Sequence, residues 1–197
     1  MSLLYTTIAG PVNPTVSVDD CKLDLRIESG FTLDDALILS YINASSRLAS
    51  EITGRKLISE SIKFSIDTTY FNERIVLPFT PVSAITEIQY YDAAGVSQTM
   101  NISDFYLYNF DDKSELCLKE GLVLPPVDDR RDAVNITFTT GYGANSSDIP
   151  DTIKKGIRML VTHYYENRNN TILGMSVADI PFGVESLLNA ERIGWCA

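Results

Sequence analysis

The stretch Asp148-Ile149-Pro150-Asp151-Thr152-Ile153-Lys154-Lys155-Gly156-Ile157-Arg158-Met159-Leu160-Val161-Thr162-His163-Tyr164-Tyr165-Glu166-Asn167-Arg168 carries the clearest pattern in the chain. Ile149, Ile153, Ile157, Leu160, Val161 and Tyr164 recur at steps of three and four, which puts them on one face of an α-helix. Lys154, Lys155 and Arg158 form its wet side. Ser146-Ser147-Asp148 supplies a cap, and Pro150 stands just inside the helix, where its missing N–H would be unpaired anyway. A polar break follows at Asn169-Asn170-Thr171. A last short helix is expected to begin near Pro181-Phe182-Gly183-Val184 and to include Leu187 and Leu188.

The other helical patterns lie at the opposite end of the chain. Residues 1–16 hold Gly10-Pro11 and Asn13-Pro14 and read as an extended arm with turns. Ser17 opens a short helix with Asp20 three residues on, in a capping-box pattern, and Ser29-Gly30 ends it. Thr32 opens a second helix, with Asp34 and Asp35 in its first turn, that runs to Thr53 and stops at Gly54. Leu33, Leu37, Tyr41, Ala44, Leu48 and Ile52 form one apolar stripe on it, and Ile38, Ile42 and Ala49 form a second beside it. Together they are wider than a helix needs to lie on a single core. Either the helix is buried between two elements of its own subunit, or the second stripe meets another subunit.

Between these helical ends the period changes from 3.6 to 2. Ile62, Phe64 and Ile66 alternate with Ser61, Lys63 and Ser65, and Arg74 to Leu77 runs up to Pro78. Ile85 to Tyr91 and Val96 to Met100 flank the hairpin connection Asp92-Ala93-Ala94-Gly95. Phe105 to Tyr108, Leu116 to Leu118 and Asn135 to Thr139 add further strands. The expected fold class is α+β: N- and C-terminal helices (17–54 and 148–190) form a small bundle. An antiparallel β region (55–147), a small sheet or partial barrel, is inserted between them. Residues 1–16 are the arm and 191–197 a C-terminal tail.

The chain has 197 residues, 45% of them apolar and 21% charged, which is ordinary for a folded soluble protein. Its net charge of −10 excludes a general nucleic-acid binder, because a polyphosphate calls for clustered Lys and Arg. Cys21, Cys117 and Cys196 are too sparse and widely spaced for a disulfide framework or a zinc site. Met1 to Pro11 lacks the basic start of a signal peptide, and no segment reaches the ~20 apolar residues of a membrane span. A cytoplasmic, soluble chain without a membrane partner is the expectation.

Candidate chemistry centres on His163, the only histidine. It stands at the border of the apolar stripe with Glu166 one turn on, close enough to interact. A small enzyme using this pair is one reading, but no nucleophile sits in a G-x-S-x-G context. His163-x-x-Glu166 lacks the H-E-x-x-H spacing of zinc sites, and Asp19-Asp20, Asp111-Asp112 and Asp128-Asp129 lack an EF-hand pattern. Gly141-Tyr142-Gly143 lacks the lysine of a phosphate loop. Catalytic, metal and cofactor sites are therefore all expected to be absent. A monomeric β-rich binding module on a helical base is a further reading.

Several segments in order carry a resemblance. They are Ser17-Val18-Asp19-Asp20-Cys21-Lys22-Leu23-Asp24-Leu25-Arg26, Asp34-Asp35-Ala36-Leu37-Ile38, Glu51-Ile52-Thr53-Gly54-Arg55 and Leu77-Pro78-Phe79-Thr80-Pro81-Val82. Val134 to Gly143, Ile149-Pro150, His163 to Arg168 and Pro181 to Val184 complete the set. In their order and spacing the chain resembles the head–tail connector (adaptor, or head-completion) proteins of long-tailed bacteriophages and prophages. It departs from them at Tyr164, where the family more often has Trp, and at Glu191-Arg192-Ile193, where a Tyr-Arg pair is usual.

The resemblance implies a structural virion-assembly protein made in the bacterial host cytoplasm and placed at the head–tail junction. Such proteins form a homo-oligomeric ring below the portal protein, commonly of twelve subunits. The ring extends the channel through which DNA passes and docks the next connector or tail protein. An acidic chain fits a channel that must pass DNA without holding it. The assembly residues then expected are Ile38, Ile42 and Ala49 on the second helix, with Tyr165, Arg168, Phe182 and Val184 toward the C-terminus.

Overall fold

A computed structural model of the chain describes residues 4–167 and 182–194. The described residues fall into two compact units. One contains the residues up to Pro11, then Ser59–Tyr142 and Gly194. The other contains Val12–Ile58 and the described part of Gly143–Ile193. The fold is thus α+β, with helices from both ends of the sequence and a β unit between them.

The β unit is built from eight strands: β1 (Leu4–Ala9), β2 (Glu60–Ile66), β3 (Arg74–Leu77), β4 (Val82–Tyr91), β5 (Ser97–Thr99), β6 (Phe105–Asn109), β7 (Ser114–Leu118) and β8 (Val134–Thr140). They form a five-stranded sheet of order β1-β2-β8-β4-β5 and a three-stranded sheet of order β3-β7-β6, antiparallel throughout. The alternation read in β2 is realised: Ile62, Phe64 and Ile66 are buried and Ser61, Lys63 and Ser65 are not. Val134, Ile136 and Phe138 of β8 meet Ile75 and Leu77 of β3, Leu116 of β7 and Phe105 of β6 in one apolar core. Each such side chain contributes about 1.5–3 kcal/mol by leaving water.

Residues 4–9, read as part of a free arm, are instead the edge strand β1. Their backbone pairs with β2 although every side chain on β1 remains exposed. The reason is main-chain hydrogen bonding along an open sheet edge, which hydrophobic patterning does not report. Asn109, at the end of β6, links the two sheets. Its Oδ1 accepts from the Val82 N–H at 3.0 Å and its Nδ2 donates to the Val82 carbonyl at 2.8 Å, so a side chain takes the place of a neighbouring strand.

The helical unit contains α1 (Val18–Leu25), α2 (Asp35–Thr53), α3 (Asp151–Glu166) and α4 (Phe182–Ala190). Half of the capping box read there is formed: the Asp20 N–H donates to Ser17 Oγ at 3.0 Å, while the Asp20 carboxylate accepts from the Ser17 hydroxyl at 2.6 Å in place of its backbone N–H. Gly54 ends α2 at φ 70°, a left-handed conformation that favours glycine. Ser146–Asp148 forms a separate 3-10 turn, and α3 begins only after Pro150, which takes the N-cap position. Gly143 lies against that turn, where a Cβ would collide with the Asp148 side chain.

α3 is central, packing on α1, α2 and α4. Arg158 ties it to α1, with Nε and Nη2 each 2.8 Å from the Asp24 carboxylate and Nη2 3.2 Å from the Asp20 carbonyl. Two side-chain bonds pin the chain entering α1. Asn13 Nδ2 donates to the Ala144 carbonyl at 2.9 Å, and Ser146 Oγ donates to the Thr15 carbonyl at 2.6 Å. After α4, the Ile193 N–H bonds the Thr53 carbonyl at 2.9 Å, and the Arg55 guanidinium donates to the Glu191 carbonyl at 2.8 Å.

Candidate assembly surface

The residues expected at a subunit contact divide sharply. Ile38, Ile42, Ala49 and Val184 are fully buried within the chain. They are core, and the expectation that they meet another subunit is corrected. Of the two stripes of α2, the Ile38-Ile42-Ala49 one is the one covered within the chain, where α1, α3 and α4 all pack on α2. The other stripe is the less covered one: Ala44 is exposed and Leu37, Tyr41, Leu48 and Ile52 are half-buried, while Leu33, 84% exposed, lies in the turn before α2, which starts at Asp35 and not at Thr32. Leu23, 73% exposed, Phe31 and Leu39 add further uncovered apolar side chains in this unit.

Tyr165 is half-buried, and its hydroxyl donates to the Asp34 carboxylate at the start of α2. Beside it, Tyr164 packs its ring 6.0 Å from that of Tyr41. Phe182 opens α4, while Arg168 and Pro181 lie outside the described residues. Lys22 of α1 is buried, with Nζ 2.6 Å from Asp35 Oδ1 at the start of α2 and 3.3 Å from the Ser29 carbonyl in the connection between the two helices. This half-buried ion pair ties α1 to the first turn of α2.

His163 and Glu166 both line an open groove of about 340 Å³, together with Asp24, Lys155, Met159 and Thr162. Asn167 closes on the histidine from the C-terminal side. Its backbone N–H and its Nδ2 each donate to the His163 carbonyl at 3.0 Å, and Nδ2 lies 3.4 Å from His163 Nδ1. Asp24 is already held by Arg158. Burial pushes the neighbouring Cys21 thiol up to about 12, so it is a neutral packing group and not a nucleophile. At the other end of α3, a hydrogen bond from Lys154, then its charge, holds the Asp151 carboxyl below the usual range. Among the described residues, no cluster of three or more potential metal ligands occurs, and no helix is long and apolar enough to cross a membrane.

The fold and this surface define a two-unit α+β protein whose most distinctive surface is uncovered apolar area. The family model for head completion proteins matches residues 16–178, so the chain belongs to the head completion protein family. Structural similarity extends along nearly the whole chain. A chain from the neck of an empty gene transfer agent (GTA) particle, computed with C6 symmetry, superposes with a TM-score of 0.80 at 24% identity, covering 98% of this chain and 97% of that one. A chain from the virion of a native GTA particle gives 0.78 at 25% identity over 98% and 97%. One from the neck of a native GTA particle, computed with C12 symmetry, gives 0.71 at 23% identity over 100% and 98%. A search of curated proteins gave no significant match. Family membership makes this a structural virion-assembly protein of a phage-like head–tail junction, and it speaks for a non-catalytic role.

Proposed function

We propose that the chain assembles as a ring, of twelve copies, below the portal at the head–tail junction. There it extends the DNA channel and presents the docking surface for the next connector or tail protein. The carrying observation is the match of 98% or more of the chain to subunits of particle necks, one of them computed with C12 symmetry. Apolar side chains left uncovered on a single copy, Leu33 and Leu23 among them, are what subunit contacts would cover. The outward side of α2 is the proposed subunit contact in the helical unit, with Tyr165, Arg168 and Phe182 contributing toward the C-terminus.

DNA is a passing cargo in this reading. A chain of net charge −10 offers few cations to retain a polyphosphate, and an acidic inner wall would let it slide. Cryo-electron microscopy of particles carrying this chain is expected to show it as a ring between portal and tail. Deleting it should leave heads that fail to acquire tails. Complete, tailed particles formed without the chain would refute the proposal, and a basic channel wall would refute the sliding argument.

A further inference from the structure

β1 is an open edge of the five-stranded sheet: among the described residues it pairs with β2 alone. Edge strands are normally guarded by charged side chains, by proline or by shortness, because their free N–H and C=O groups invite another strand. β1 has none of these guards. It runs for six residues, Leu4-Tyr5-Thr6-Thr7-Ile8-Ala9, without a charge or a proline. The first charged side chain of the protein is Asp19, and residues 1–18 are its longest run without one, although 21% of all residues are charged. Leu4 is 48% exposed, Tyr5 45% and Ile8 57%. The one irregularity is a bulge at Ile8, between Thr7 opposite Ile62 and Ala9 opposite Ser61.

Charge narrows what can lie against this edge. Copies of net charge −10 repel one another, so two of them meet at least cost through surface that carries no charge. None of the other edges of the two sheets matches β1. β5 is three residues long, β3 is four and opens with Arg74, and β6 is bound at Asn109 to Val82. The edge equal to β1 in length and equally free of charge is β1 of a second copy.

We propose that two free copies of the chain pair through β1, antiparallel about a twofold axis, and so join their five-stranded sheets into one. The contact is isologous and closes at a dimer, so it is a form of the chain outside the ring, separate from the α2 contact proposed above. Main-chain hydrogen bonds hold it, and they are insensitive to the net charge of either copy. The pairing hides an edge that would otherwise stay open to any extended chain until assembly begins.

The test is sedimentation equilibrium of the full chain over a wide concentration range, at low and at high salt. The wild type should form dimers, and more of them at high salt, because screening relieves the repulsion between copies. The double variant Thr6→Lys, Ile8→Lys should weaken dimerisation about tenfold or more, although it brings the net charge from −10 to −8 and so reduces the repulsion. Both side chains are exposed, and thermal melting checks that the variant folds. Spin labels give the geometry in a Cys117→Ser, Cys196→Ser background. Labels at Thr6→Cys should lie within about 20 Å of each other across the dimer, and labels at Ser97→Cys on β5, at the far ends of the joined sheet, about 40 Å apart. A wild type that stays monomeric overturns the proposal and leaves the edge to a different protein. Dimers that the folded lysine variant forms equally well, or in which the β1 labels are the distant pair, overturn it too. So does association that passes beyond dimers, which would speak for the ring instead.

Discussion

Gly156 decides how closely α4 approaches α3, and its replacement sets two opposing effects against each other. A Cβ at this position would stand 3.0 Å from Cδ2 of Leu188 and 3.3 Å from its Cγ, closer than carbon atoms normally pack. Leu188 is fully buried, so its side chain has little room to retreat. Replacing a helix-interior glycine with alanine favours the helix by about 1 kcal/mol. Forcing an extra methyl into a filled core costs about 1–3 kcal/mol. Gly156→Ala should therefore be neutral to about 2 kcal/mol destabilising, not stabilising.

The control removes the obstacle. Leu188→Ala alone should cost about 2–5 kcal/mol through lost burial and the cavity left behind. In that background the new methyl enters vacated space, and Gly156→Ala should become stabilising by about 1 kcal/mol. Chemical denaturation followed by far-UV circular dichroism, run as a double-mutant cycle, measures the change of sign. If Gly156→Ala stabilises the protein equally with Leu188 intact and in the Leu188→Ala background, the two helices are not in the close contact described, and the reasoning fails.

Three other outcomes are expected. Asn109→Ala removes the side chain that stands in for a strand beside Val82 and should cost about 1–2 kcal/mol, with Asn109→Asp no better because it loses the donor to the Val82 carbonyl; urea titration checks both. Arg158→Met should cost about 1–3 kcal/mol, and a cycle with Asp24→Asn should show favourable coupling, because the bidentate pair is three-quarters shielded from water. The Cys21 thiol ionises near 9.0 when free of the fold but only near 12 within it, so the folded state binds more protons between those values. Its stabilising contribution is complete below about pH 9 and is lost as pH rises toward 12. Cys21→Ala should flatten the alkaline fall of the melting temperature, and an unchanged fall would count against the assignment.

Much of this molecule can be read from local pattern, and the reason is the same wherever that succeeds. Ile62-Phe64-Ile66 alternates because one face of β2 lies on a core, and Ser17 and Gly54 mark helix ends through the bonds and backbone angles that those ends require. The ordered set of segments from Ser17 to Val184 likewise carried the family, which the match over residues 16–178 establishes. These features are local or follow the order of the chain, so they survive without knowledge of what touches what.

What failed depends on contacts between distant residues. α2 carries two apolar stripes of similar character, and periodicity alone cannot say which one faces inward. Only the packing of the other helices on α2 buries Ile38, Ile42 and Ala49 and leaves Ala44 exposed. The edge strand β1 was invisible for a related reason: its side chains all remain exposed, and its place in the sheet rests on main-chain bonds to residues 61–65. The amino-acid sequence by itself therefore determined most of the element types, several of their ends and the family. The tertiary structure decided which apolar surface is core and which is left for a partner, because burial belongs to pairs of surfaces and not to either one alone.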